Sequence, residues 1–354
     1  MSSLWRVLLL VVGLSAAGVV WWGANAVERA AGQPLLLTEP LELDVPRGSS
    51  LRQVLGRLAA EGRLENPFWL RVWLRVHDRG AHIHAGEYLL GPGTTARELV
   101  AMLEAGKVRL HAVTLVEGWT VTQARVALAN APRLRHELGD VAQSELLHAL
   151  GIDAEPGRNP EGLFFPDTYV FSGATSDRDI LVWAYHRLQE VLAEEWEQRA
   201  AGLPYETPYE ALIMASIIER ETGVPSERGD IAGVFVRRLQ RGMLLQTDPT
   251  IIYGLGDAFD GNLRRSHLRD AANPYNTYIH RGLPPTPIAL AGRAAIRAAL
   301  NPSAGDALFF VARGDGSHHF SSTLREHERA VQEYQVRQRR SDYRSSPAPV
   351  QGAK

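Results

Sequence analysis

The 354-residue chain contains no cysteine. That excludes disulfides, thiol catalysis and thiolate metal sites. It also suits a compartment in which free thiols oxidise. Charge of one sign is not in excess: 38 basic and 40 acidic side chains leave a formal net charge of −2. Nothing in that balance points to a nucleic-acid partner. The chain has no low-complexity core. Apolar residues make up 45% of it, an ordinary globular composition for a length of about two domains.

One stretch departs from that composition. Val7 to Ala26, VLLLVVGLSAAGVVWWGANA, carries no charge. About 20 residues of helix cross the hydrocarbon core of a bilayer, and Trp21 and Trp22 stand where an interfacial aromatic belt would be. Arg6 precedes the run, and Glu28 and Arg29 follow it. The small charge bias keeps the N-terminus inside, so the remainder of the chain is expected outside the cytoplasm. Ala24-Asn25-Ala26 also matches a signal-peptidase site, but the apolar run is longer than the usual h-region. A retained single-pass anchor over 7–26, after a stub at 1–6, is the expectation.

Residues 27–40 read as a linker. Leu41, Leu43 and Val45 then alternate with polar residues, as in a strand. Pro46-Arg47-Gly48-Ser49 turns the chain, and Ser50 caps a helix bearing Leu51, Val54, Leu55 and Leu58. This strand, turn and helix resemble a LysM-like glycan-binding module, expected over 41–110. A second strand–helix unit is expected at 85–106, with Thr94 or Thr95 opening its helix and Gly106 ending it. Beyond it come a strand and Thr-capped helix in VTLVEGWTVTQARVALAN, a loop rich in Gly, Pro and Asn around 153–166, and a long helix over 178–201. The basic, Pro-containing end, 336–354, reads as a disordered tail.

Residues 211–223, ALIMASIIERETG, raise the question of chemistry. Thr207-Pro208-Tyr209-Glu210 is a capping box with proline at the first helical position. The helix starts near Pro208, and Gly223 at C′ with Pro225 beyond it is expected to end it. Glu219 and Glu221 fall in the last turn, where the helix dipole favours neutral acids. Burial would act the same way and tune a general acid. Alternatively Glu219 pairs with Arg220 or Arg228 at the end of a buried helix. Glu221, two positions on, faces another way, which suits a structural pair. The aromatic and amide-rich segment Pro274–Tyr278, before Arg281-Gly282-Leu283, reads as a sugar-contacting loop or a packed turn.

ASIIERET (215–222), RRLQRGMLLQTDPTIIYGLG (237–256), NPYNTYIHRGLPPTPIA (273–289) and GDGSHHFSSTLREH (314–327) resemble the endolytic murein transglycosylase family, also called YceG-like. EGLFFPDTY (161–169) and AGEYLL (85–90) add to the likeness, which covers most of 41–335. The resemblance implies an α+β fold: a single N-terminal transmembrane helix, a LysM-like module and a mixed α/β catalytic domain at 111–335. It implies cleavage of MurNAc–GlcNAc bonds inside peptidoglycan strands to 1,6-anhydro ends, limiting nascent strands. Glu219 matches the family's one catalytic glutamate in this reading, as acid and then base. Gln246, Asp248, Tyr275 and Asn276 fall in cleft motifs, and His318 lies in GDGSHHF. His319 and Glu328 are atypical for their positions. The implied partners are glycan strands, the inner membrane with the catalytic domain on its periplasmic side, and the peptidoglycan synthesis machinery.

Two other readings are carried. Asp248 as a second carboxylate facing Glu219 would make a hydrolase. A degenerate site would leave an anchored, noncatalytic glycan-binding scaffold. His82 with His84, and His318 with His319 and His327, lack a convincingly spaced further ligand. Packing or surface roles are expected of them, with no metal and no cofactor.

Overall fold

The computed structural model describes residues 3–154, 158–173 and 175–337. The tail expected from 336 lies outside the described residues from 338 on, as do residues 1–2 of the expected stub. The chain divides into two compact units. Unit 1 comprises residues 1–112, 132–135 and 170–176, and unit 2 comprises 113–131, 136–169 and 177–354.

Unit 1 opens on helix α1 (Ser3–Gly32). Its stretch Leu10–Gly32 is long and apolar enough to cross a membrane. Only the far end is covered, where Ala30 and Ala31 are buried. Then come β1 (Leu41–Val45), α2 (Leu51–Ala60), α3 (Pro67–Val76), β2 (Gly86–Leu90) and α4 (Ala96–Ala105). Ser50 and Thr95 form capping boxes with Gln53 and Glu98, and Gly106 closes α4 in the left-handed region at φ 62°. The two strand–helix pieces are not separate copies of one unit. β2 pairs antiparallel with β1, Leu43 opposite Tyr88 and Val45 opposite Gly86, so the pieces share one sheet. One core unites Leu43, Val54, Leu58, Leu70, Tyr88 and Leu99. A βααβ arrangement results, because each piece alone would expose its apolar face.

β3 (Leu110–Thr114) and β4 (Thr168–Ser172) pair with each other. Between them lie α5 (Val121–Ala129), capped by a Thr120–Gln123 box, and the short α6 (Leu146–Ala149). Unit 2 continues with α7 (Asp177–Glu197), which stops one turn earlier than the apolar spacing suggests. α8 (Pro208–Glu221) and α9 (Arg228–Gln240) follow, then α10 (Asp248–Leu255), α11 (Arg265–Leu268) and α12 (Arg293–Leu300). The antiparallel hairpin β5 (Phe309–Ala312) and β6 (His318–Ser321) precedes α13 (Leu324–Val331).

α8 is the axis of unit 2: every residue from Ala211 to Ile218 is buried. A helix apolar on all sides belongs in a core, and α7, α9, α10 and α12 surround this one. Its one polar interior side chain, Ser216, donates to the Ile213 carbonyl at 2.7 Å and accepts from the Ile288 N–H at 3.0 Å. The helix starts at the Thr207–Glu210 capping box, as the sequence predicts. Its end differs. Gly223 is not in the left-handed region; Thr222 is extended at φ −140° and its hydroxyl accepts from the Val224 N–H at 2.9 Å. A threonine turn performs the termination expected of glycine.

Candidate functional site

The last turn of α8 sends its two acids to different partners. Glu219 is enclosed, its side chain 4% exposed. One oxygen accepts from Arg228 Nη2 at 3.1 Å and the other from the Gly292 N–H at 3.0 Å. Arg228 also lies 3.7 Å from Glu117. Burial raises the Glu219 carboxyl above its usual range and the Glu117 charge adds to this, against Arg228 and the Gly292 N–H. Of the two alternatives at this position, the arginine partner is present: Arg228, across the turn that joins α8 to α9. Glu219 is absent from the wall of the cavity described next.

Glu221 lines a cavity of about 650 Å³, together with Arg220, Arg238, Gln246, Asp248 and His318. That volume falls within the range of small-ligand sites. The Thr247 hydroxyl donates to the Glu221 carboxylate. Burial pushes Glu221 up to about 7; the nearby Asp248 charge adds to the rise, while Thr247 and Arg238 oppose it. An acid with that pKa holds a proton near neutral pH and can also release it. Glu219 holds an ion pair in this turn, and Glu221 has the Thr247 hydroxyl as its partner.

The cavity wall is held by long-range staples. Arg238 of α9, largely buried, donates through Nε to the Leu308 carbonyl and through Nη1 to that of Leu245, both at 2.7 Å. It thereby ties the segment before α10 to the start of β5. Gln246 adopts a left-handed backbone, φ 51°, which costs a non-glycine residue about 1 kcal/mol. Its N–H bonds the Thr277 carbonyl at 3.1 Å, and the Thr277 hydroxyl accepts from the Thr247 N–H at 3.1 Å. Thr250 adds a third hydroxyl, 2.9 Å from that of Thr277. This buried threonine cluster fixes the turn that brings Gln246 and Asp248 to the cavity. Asp248 accepts from the Tyr278 hydroxyl at 2.7 Å. His318 at the start of β6 has Nδ1 2.8 Å from Glu227, whose other oxygen accepts the His318 backbone N–H at 2.9 Å. Glu227 and Arg228 are neighbours, so the start of α9 grips both the cavity wall and the end of α8.

Three of the expected binding residues, Gln246, Asp248 and His318, therefore meet at one cavity, and two do not reach it. Asn276 is 0% exposed. Its amide donates to the His267 and Asp270 carbonyls at 3.1 and 2.8 Å and its oxygen accepts from the Tyr278 N–H at 3.1 Å. It braces the loop from within. Asn276→Ala leaves two backbone carbonyls unpaired and is expected to cost about 1–3 kcal/mol, read as a lower denaturant midpoint. Tyr275 meets Tyr253 edge on at 4.8 Å and bonds Thr286 at 2.8 Å through its hydroxyl. His84 lies against Gly106, and His327 stacks on Phe309 and lines the same cavity as His318.

Sequence reasoning passes over a further acid, Glu161. It is 1% exposed, accepts from the Val121 N–H at 3.0 Å and the Tyr253 hydroxyl at 3.2 Å, and is pushed up to about 7 by burial. Through Tyr253 it holds α10, the helix that begins at Asp248. Only its place in EGLFFPDTY could have marked it.

Comparison with known proteins matches residues 43–333, most of the chain, to the model of the YceG-like family. A protein of Bacillus subtilis named endolytic murein transglycosylase is 29% identical, the match covering 84% of this chain and 88% of that one. A protein of the same name from Streptococcus pneumoniae serotype 2 is 25% identical over 82% of this chain and 57% of its own length. The crystal structure of a YceG-like protein from Listeria monocytogenes superposes with a TM-score of 0.51 at 28% identity, covering 83% of this chain and 99% of that one. With the family's model matched from the first strand to the helix that follows the β5–β6 hairpin, the chain belongs to the YceG-like family.

Proposed function

We propose that the chain is a peptidoglycan lytic transglycosylase and that Glu221, rather than Glu219, is its acid. The observation that carries the assignment is the contrast between the two. Glu221 stands on the wall of the cavity shared with Gln246, Asp248 and His318, raised to about 7, whereas Glu219 lies outside that wall and is engaged by Arg228 and the Gly292 N–H. The names of the curated relatives supply the substrate, murein, and the endolytic mode of cutting.

In this reading Glu221 protonates the oxygen that links MurNAc to the next GlcNAc, and the bond from that oxygen to the anomeric carbon breaks. The C6 hydroxyl of the same MurNAc bonds to the anomeric carbon, and its proton passes to the Glu221 carboxylate. Leaving oxygen and incoming oxygen occupy the same face of the ring, so one carboxyl group serves both transfers. No water is consumed, and the product is a 1,6-anhydro end. Asp248, anchored by Tyr278 and sharing the cavity, opposes the positive charge of the oxocarbenium-like transition state. Gln246 and His318 orient the sugar. A second reading starts from that same pair of acids: with Asp248 as nucleophile or base, the enzyme would be a hydrolase leaving hydrated ends. Identification of the new ends by mass spectrometry separates the two.

The βααβ order of unit 1 supports a LysM-like, glycan-binding role for residues 41–110. Retention of glycan strands by the full chain with Glu221→Gln, lost on disrupting that module, is the check. α1 supports a single-pass inner-membrane anchor with both units on the periplasmic side, near the synthesis machinery, where cutting limits strand length. Cleavage after Ala26 would divide α1 and remove Trp22, which packs on Trp69 of α3. N-terminal sequencing of the mature protein is therefore expected to find no new start at Val27; finding one there would refute the anchor.

A further inference from the structure

Two contacts fix the direction of α3 beside α1 in unit 1. Trp22 meets Trp69 edge on, ring centres 5.7 Å apart. Further along both helices, His77 Nε2, just past α3, lies 3.4 Å from Glu28. The contacts occur in the same order on each chain segment, so α3 runs alongside α1 in the same direction. Its Pro67 end is level with Trp22, and its Val76 end is level with Glu28.

The inward face of α3 is settled, with Leu70 and Trp73 buried in the core of the unit. The end next to Trp22 is not covered. Phe68 is 59% exposed and rests on Trp69 at 5.2 Å. Trp21 and Trp22 are exposed beside it. Three large aromatic side chains thus stand open to solvent at one level, where the long apolar run of α1 gives way to charged residues. An aromatic cluster at that height matches the interfacial belt of a membrane protein. Arg71 is exposed one turn further along α3, its Nε donating back to the Pro67 carbonyl at 3.1 Å, and Arg75 is exposed another turn on. Cations just outside an aromatic belt suit anionic lipid phosphates.

We propose that the Phe68–Trp69 corner of α3 lies in the interfacial layer of the bilayer beside Trp21 and Trp22, with Arg71 at the level of the lipid phosphates. Unit 1 then rests on the membrane surface through two elements rather than hanging from α1 alone. The proposal rests on the reading of α1 as an anchor, and the test keeps the two apart.

The absence of native cysteine allows single labels in the full chain. Leu14→Cys on α1, Phe68→Cys and Val76→Cys, all at exposed positions, would each carry an environment-sensitive fluorophore. The protein is reconstituted into phosphatidylethanolamine–phosphatidylglycerol vesicles with brominated acyl chains. Strong quenching at 14, clear quenching at 68 and several-fold weaker quenching at 76 is the expected pattern. Arg71→Glu is expected to reduce the quenching at 68. Quenching at 14 with water-like emission at 68 would overturn this proposal and leave the anchor standing. A blue-shifted but unquenched label at 68 would mean that protein, such as a second copy, covers the corner, and would overturn it too. Absence of quenching at 14 would refute the anchor itself.

Discussion

Glu221→Gln is expected to lower kcat on glycan strands by about 10²–10⁴-fold, the usual loss when a general acid is removed. Glu219→Gln is expected to stay within about tenfold of the parent. The amide at 221 keeps the shape of the side chain and can still accept from Thr247, so the loss reads the proton and not the packing. Glu219 is also raised by burial, so Glu219→Gln relieves a penalty of the same sign as at 221, offset in part by the charge lost opposite Arg228, and only a small shift in stability is expected. Glu221 has its folded-state pKa raised to about 7, above the unfolded value. Its contribution is fully favourable below the unfolded pKa and is lost as pH rises through about 7. Glu221→Gln removes that loss. The variant should therefore melt higher than the parent at pH 8, with the difference shrinking as pH falls. An inactive enzyme that is more stable than its parent is the mark of a carboxyl held for chemistry at the expense of the fold.

Asp248→Asn is expected to lower kcat by about 10- to 100-fold with little change in KM, because an opposing charge matters most where positive charge develops. The asparagine oxygen can still accept the Tyr278 hydroxyl, so the geometry of the cavity is kept. The pH profile gives a second readout. The parent's kcat/KM should fall on the basic side through about pH 7 as Glu221 loses its proton. Asp248 is one of the causes of that raised value, so its neutralisation should move the basic limb to lower pH. A limb that stays in place would mean that the two acids do not sense each other. A variant that cuts as well as the parent would remove Asp248 from the mechanism.

Local chemistry was legible in the sequence, and long-range pairing was not. Ser50, Thr95, Thr120 and Thr207 each form the capping box that a Ser or Thr followed three residues later by Glu or Gln announces. The wholly apolar face of α8 likewise announces its burial. The pairing of β1 with β2 depends on residues more than forty positions apart, and two strand–helix pieces therefore read as two units. The choice between Glu219 and Glu221 has the same cause. Both sit in one last turn under one dipole, and only the tertiary partners tell them apart: Arg228 and Gly292 for one, Thr247 and the cavity for the other. Asn276 misleads for a related reason. An amide in an aromatic loop suits a sugar, but here the backbone groups of His267, Asp270 and Tyr278 occupy it.

The most direct test digests purified, uncrosslinked glycan strands with the parent, Glu219→Gln and Glu221→Gln, and identifies the new ends by mass spectrometry. The account predicts 1,6-anhydro ends from the parent and from Glu219→Gln, and no cutting by Glu221→Gln. Anhydro ends that persist with Glu221→Gln and vanish with Glu219→Gln would contradict it, and would return the acid to the buried carboxylate beside Arg228.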